Sequence, residues 1–188
     1  MAVESSYKLA LGAEAPPFSL TDTVTEETLS LEQLRSPKAT VVMFLCNHCP
    51  YVKHVNPEIV RIANEYGPKG ISFVGISSND IEQYPEDGPL EMKRTAKALG
   101  YNFPYLYDET QEVARAYDAA CTPDFYVFDG NLHLIYHGQL DDSRASGTNT
   151  LLTGKDLRNV LNNVLEGKPA PEFQRPSIGC SIKWKKSF

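Results

Sequence analysis

The sequence predicts an α/β fold, a central mixed β-sheet flanked by helices, with an N-terminal β-hairpin ahead of it and a C-terminal tail behind it. Three observations carry that expectation. The apolar run Val41-Val42-Met43-Phe44-Leu45 is followed, after Pro50, by apolar residues at helical spacing and then by a second run, Ile71-Ser72-Phe73-Val74-Gly75-Ile76. Strand, helix, strand in that order makes a βαβ unit with a parallel pair. Phe125-Tyr126-Val127-Phe128 and Leu132-His133-Leu134-Ile135-Tyr136 flank the turn formers Asp129-Gly130-Asn131, which predicts a β-hairpin. An amphipathic stretch bearing Leu157, Val160, Leu161, Val164 and Leu165 closes the pattern.

In chain order, Ala15 to Leu20 and Thr28 to Leu31 read as two short extended segments around a polar turn, followed by a brief helix at Leu31 to Leu34. Lys38 to Leu45 is a buried strand. Val52, Val55, Ile59, Ile62, Ala63 and Tyr66 then recur at helical spacing until Gly67-Pro68 stops them. Ser77 to Pro89 is a polar, acid-rich loop leading to a helix with Met92, Ala96 and Leu99 on one face. Phe103 to Tyr107 is extended and Glu109 to Tyr117 is a short helix. Thr153 is the expected cap of the last helix, which Gly167 and Pro169 end. One domain over residues 1–170 is expected, with residues 171–188 a tail of little independent structure.

With 24 acidic and 18 basic side chains spread along 188 residues, neither nucleic acid nor a membrane is an expected partner. Lys183-Trp184-Lys185-Lys186 reads as a solvated terminus. The N-terminus lacks a basic region followed by an apolar core, and no stretch approaches the ~18 apolar residues of a membrane span. A cytoplasmic location follows as an expectation. Four cysteines with one close pair do not form a secreted disulfide framework; in a reducing compartment such a pair points to redox chemistry or metal binding.

That pair lies in Cys46-Asn47-His48-Cys49-Pro50, at the strand-to-helix turn. Thiols at the first turn of a helix face unpaired N–H groups and the positive end of the helix dipole, which favours thiolate. Proline fits best at the first helical position, which would start the helix at Cys49 and leave Cys46 in the preceding turn. The residue after Cys49 is not histidine, which sets aside covalent haem attachment. Two soft thiolates and a histidine also suit copper or zinc, although no second Cys-x-x-Cys completes a closed site.

Strand, dithiol at a helix start, second βα unit, Thr122-Pro123 ahead of a hairpin, and closing helix together resemble the thioredoxin fold over residues 12 to 167. Ala15-Pro16-Pro17-Phe18-Ser19-Leu20 to Ser30-Leu31 resembles the redoxin branch, which holds the TlpA/ResA-like oxidoreductases and the alkyl hydroperoxide reductase/thiol-specific antioxidant family. Cys46 to Lys53, Asp108 to Ala114 and Ile178 to Trp184 are similar to a bacterial group of peroxiredoxin-annotated proteins. The resemblance implies a thiol-disulfide oxidoreductase with a Cys46/Cys49 couple and no cofactor, Cys46 attacking and Cys49 resolving; Pro50 leaves the reverse order open. It makes Thr122-Pro123 a cis-proline loop whose backbone pairs with an extended substrate segment. Its partners would be a protein or small-molecule disulfide, or a hydroperoxide, and a reductant such as a thioredoxin or glutathione system. Antioxidant peroxide reduction by the same thiols stays open. Aligned on Cys49, however, the peroxiredoxin pattern Pro-x-x-x-Thr/Ser-x-x-Cys meets Cys46 and Val42 instead of Thr/Ser and Pro, and no arginine stands at Thr122-Pro123.

His48 sits where protein disulfide isomerase and DsbA carry histidine, and a protonated imidazole there favours the thiolate. Lys53 and His54 read as a solvated helix face. Thioredoxin's buried acid before the dithiol is missing from Thr40 to Leu45, so Asp124, Glu58 or water is the expected proton acceptor. Cys121 reads as a small buried hydrophobe, with a third redox thiol as the alternative. Cys180 reads as tail packing, with a resolving thiol on a mobile segment as its alternative. The competing class is a metallochaperone-like protein, since Cys49-Pro50 resembles Sco-type copper chaperones; Cys46, Cys49 and a histidine would then bind copper or zinc.

Overall fold

The computed structural model describes residues 2–5, 8–145 and 149–186. Its main sheet grows from β4 (Ala39–Phe44), every residue of which is buried. On one side β4 pairs in parallel with β5 (Ile71–Ser77), which pairs in parallel with β6 (Tyr105–Tyr107). On the other, β8 (Asp124–Asp129) runs antiparallel and turns at 129–131 into β9 (Leu134–Gly138). The expected N-terminal hairpin is β2 (Ser19–Asp22) and β3 (Thr28–Ser30), and it joins the sheet through β2 against β6. The order is β3-β2-β6-β5-β4-β8-β9. This is the expected thioredoxin-type mixed sheet.

Alternation along the strands divides the core between the two faces. Val41, Met43, Phe125 and Val127 pack with α2 (Pro50–Tyr66), α3 (Pro89–Leu99) and α5 (Lys155–Leu165). Val42, Phe44, Tyr126 and Phe128 pack with Leu31 of α1 (Leu31–Leu34) and with Val113 and Ala114 of α4 (Glu112–Ala116). The stripe expected on α2 is buried throughout, from Val52 to Tyr66. No helix among the described residues is long and apolar enough to cross a membrane.

Three local expectations are corrected. Leu99 is exposed, because α3 buries only Met92 and Ala96. Thr153 does not cap α5; the cap residue is Gly154, at φ +65°, and Asp141 holds that turn by accepting from the Thr153 and Gly154 N–H groups at 2.7 and 2.6 Å. The C-terminal segment is no loose tail. Ile178–Ser181 forms β10, which lies between β1 (Ala2–Glu4) and β7 (Cys121–Thr122) in a second, antiparallel sheet. Beyond it, the Lys183 carbonyl accepts from Asp80 N–H and from Gln111 Nε2, both at 2.8 Å, and Arg115 covers the Trp184 ring. Backbone pairing, which no apolar periodicity announces in so short a segment, is what orders it.

Candidate active site

Cys46 lies beyond the end of β4 and Cys49 is the N-cap residue of α2, with Pro50 as the first helical residue. Proline at that position loses nothing, since the first N–H groups of a helix have no internal partner. Both cysteines are buried, Cys46 to 1% exposure and Cys49 to none. Across from them the Thr122–Pro123 peptide bond is cis, the geometry the resemblance implies. Thr122 touches both sulfurs: its Oγ1 lies 3.3 Å from Cys46 Sγ, and its carbonyl accepts from the Cys49 thiol at 3.3 Å.

The two thiols are unlike. Hydrogen bonding from Cys46 pulls the Cys49 thiol down to about 4, helped by the Cys180 thiol and the Val52 and Cys180 backbone N–H groups and opposed by burial. The Cys46 thiol is pushed well up by its role as donor to Cys49, by burial and by the charge of Asp87. The contact between the sulfurs thus draws the Cys49 thiol down and the Cys46 thiol up, while the Thr122 carbonyl, in accepting from Cys49, favours its protonated form and the Thr122 hydroxyl lowers Cys46. Cys49 stands at the helix terminus and Cys46 in the preceding turn, as Pro50 predicts.

The carboxylate beside the dithiol comes from Asp87, in the 3₁₀ turn Pro85–Asp87 of the acidic loop. It is fully buried. Its Oδ1 accepts from the Asn47 and His48 N–H groups at 2.7 and 3.1 Å; its Oδ2 meets His48 Nδ1 at 2.5 Å and Asn79 Nδ2 at 2.8 Å. The turn between the cysteines is thus clamped to this loop. Asn47 Nδ2 adds a bond to the Glu86 carbonyl at 2.7 Å, and the His48 ring stacks on Tyr84 with centroids 4.6 Å apart. Nothing in the run Tyr84 to Gly88 marks Asp87 rather than Glu86 as the buried acid, so sequence reasoning missed Asp87.

The acids expected to serve the site are engaged elsewhere. Asp124 Oδ2 binds His137 Nε2 at 2.9 Å and accepts from Tyr126 Oη at 3.2 Å. Glu58 pairs with Arg158 at 2.8 Å and Arg61 at 2.9 Å. Lys53 is exposed, whereas His54 Nε2 lies 3.0 Å from Ser143 Oγ.

β10 is the element that sequence reasoning placed worst. It runs antiparallel to β7 with Cys180 opposite Thr122, on the edge expected to receive a substrate segment. It approaches so closely that a Cβ on Gly179 would stand 1.9 Å from the Thr122 carbonyl oxygen, so only glycine fits there. Cys180 is thereby fixed beside Cys49 rather than carried on a mobile segment, and burial with the Cys49 contact pushes its thiol up to about 11. It is half-buried, the most accessible of the four cysteines. Cys121 is fully buried, burial pushes its thiol far up, and its Sγ faces the Pro123 and Ser177 carbonyls at 4.0 Å. That is a packing role.

Among the described residues, one group could hold a metal ion. Cys46, His48 and Asp87 each offer a ligand atom, all within 4.8 Å of one another. This differs from the expected set, because Cys49 is turned to Cys180 and Thr122. The fit is poor: both Asp87 oxygens already accept from two donors each, and an ion would have to displace the His48 bond.

The AhpC/TSA family profile matches residues 11–137, which span β2 to most of β9 and include the dithiol and Thr122-Pro123. The chain belongs to the AhpC/TSA family. Among solved structures, an uncharacterized conserved protein from Geobacillus kaustophilus is 61% identical, with a TM-score of 0.97 over 100% of this chain and 98% of that one. A hypothetical protein from Sinorhizobium meliloti is 40% identical, with a TM-score of 0.94 over 98% and 99%. The thioredoxin domain of a thiol-disulfide oxidoreductase from Bacteroides vulgatus, 18% identical, has a TM-score of 0.60 over 80% of this chain and 98% of that one, a likeness of fold. The comparison with curated proteins gave no match. This AhpC/TSA member therefore carries a thioredoxin fold with the second sheet β1-β10-β7 set against its dithiol.

Proposed function

We propose that this AhpC/TSA-family protein is a thiol-disulfide oxidoreductase in which Cys49 is the nucleophile and Cys46 the resolving thiol. The observation that carries the reading is the pairing of two unlike thiols at the start of α2, one favoured as thiolate, both touching Thr122. Cys49 thiolate attacks one sulfur of a disulfide, forms a mixed disulfide and expels the other sulfur as thiolate. Cys46 then loses its proton, attacks Cys49 Sγ, and releases the second thiolate, leaving a Cys46–Cys49 disulfide. The His48–Asp87 pair, within 4.8 Å of Cys46, is placed to take that proton. A thiol reductant, of the thioredoxin or glutathione kind, restores the dithiol.

The same couple supports peroxide reduction: Cys49 thiolate takes the terminal oxygen of a hydroperoxide, giving a sulfenic acid and an alcohol, and Cys46 condenses with it to give the disulfide and water. Membership of the AhpC/TSA family favours this branch, and the lack of arginine at 122–123 weighs against a fast rate. Two assays on the purified protein decide: reduction of insulin disulfides and consumption of hydroperoxide. Serine at Cys49 should abolish both and serine at Cys46 should accumulate mixed disulfide; a protein inactive in both assays would sink the proposal.

A further inference from the structure

The chain itself occupies the strand edge beside the dithiol. Cys46 and Cys49 are buried, and the Thr122 edge beside them is filled by β10, whose other edge is covered by β1. We propose that β10 acts as a built-in docking strand and that Cys180 is a third redox thiol, through which reducing equivalents reach the buried Cys46/Cys49 pair. This rests on the proposed oxidoreductase reading and adds the route by which its disulfide is reopened.

Register and packing support it. Cys180 stands opposite Thr122, the residue that touches both dithiol sulfurs, and the closeness enforced at Gly179 holds the strand against that loop. Cys49 interacts with both of the other thiols, Cys46 and Cys180. Exchange then runs in three balanced steps. Cys180, losing its proton, attacks Cys49 Sγ of the Cys46–Cys49 disulfide; the Cys49–Cys180 bond forms, and Cys46 leaves as thiolate and takes up a proton. No net oxidation has occurred, but the disulfide now has a half-buried sulfur. An external thiolate attacks that sulfur, Cys180, and expels Cys49. A second external thiol attacks the external sulfur, giving an external disulfide and a free Cys180 thiol, so that one disulfide has been reduced by two thiols.

Access and leaving group agree on the direction of the second step. Cys180 is the sulfur an outside thiol reaches, and Cys49, with the lowest thiol pKa of the cluster, is the better leaving group. Attack with the opposite polarity would need a buried target and expulsion of the more basic thiolate.

The test uses full-length protein oxidised with stoichiometric diamide, alkylated and mapped by mass spectrometry. Wild type that forms Cys46–Cys49 upholds the oxidoreductase reading whatever Cys180 does, and wild type that does not sinks that reading separately. In Cys46→Ser, oxidation should link Cys49 to Cys180 within one monomer. In Cys180→Ser, re-reduction of the oxidised protein by dithiothreitol or glutathione should slow about tenfold or more, as loss of the accessible sulfur requires. Cys180→Ala serves as a second variant, with circular dichroism to confirm folding. Two retained thiols in oxidised Cys46→Ser, a bond formed only between monomers, or wild-type re-reduction rates in both Cys180 variants would each overturn the relay.

Discussion

Replacing Asp87 tests the clamp on the dithiol turn more directly than any change to the cysteines. Its buried carboxylate accepts from Asn47 N–H, His48 N–H, His48 Nδ1 and Asn79 Nδ2. Asp87→Ala leaves these donors facing a cavity, and breaking a buried, hydrogen-bonded charge of this kind costs about 3–5 kcal/mol. Asp87→Asn keeps an oxygen for the two backbone donors but sets an amide N–H₂ against that of Asn79, so the cost should be smaller, about 2–3 kcal/mol. For a chain of this size those values lower the thermal midpoint by roughly 6–20 °C and 4–12 °C. The readout is thermal unfolding of the reduced proteins, followed by titration of the thiols through thiolate absorbance. Removing the charge that raises Cys46 should also move the second thiol titration to lower pH in Asp87→Asn. A midpoint within 2 °C of wild type for Asp87→Ala, with the Asp87→Asn titration unmoved, would refute the reasoning (differences that small are about 1 kcal/mol or less).

Further outcomes follow from the same geometry. The folded Cys49 thiol sits at about 4, against about 8.5 unfolded, so its contribution to the stability of the reduced protein is present above the unfolded value and fades as pH falls through the folded one. Reduction then takes up one proton per two electrons, and the potential of the couple should fall by about 30 mV per pH unit between roughly pH 5 and 8. Equilibration against a glutathione buffer measures it, and a slope near 60 mV argues that both thiols are protonated. Arg158→Met leaves buried Glu58 with only the more exposed Arg61 and should cost about 3 kcal/mol in urea unfolding; a change below about 0.5 kcal/mol speaks against a strong pair. Gly179→Ala cannot keep β10 on Thr122, so Cys180 should react faster with iodoacetamide; a wild-type alkylation rate would contradict the close approach.

Apolar periodicity is a property of contiguous residues, which is why β4, α2, β5 and the β8–β9 hairpin could be placed from their own stretches, and why Pro50 marked the helix start beside Cys49. A partner far along the chain leaves no such mark. Asp87 reads like its acidic neighbours in an 80s loop, and its role arises only because that loop crosses the turn at Asn47 and His48. Thr153 looked like a cap because a local rule was applied, while the bonds at that turn come from Asp141, twelve residues earlier.

The amino-acid sequence alone determined the α/β architecture and the place of the dithiol, because strand and helix periods and turn residues act over a few positions; the facing loop at Thr122-Pro123 was legible only through the resemblance to the thioredoxin fold. The tertiary structure decided how the surroundings of the two thiols differ, which acid stands by them, and that the last strand returns to lie on the Thr122 edge. Those depend on charges, hydrogen bonds and backbone pairing between segments as distant as residues 46 to 49, 87, 122 and 180, and such contacts exist only once the chain has closed on itself.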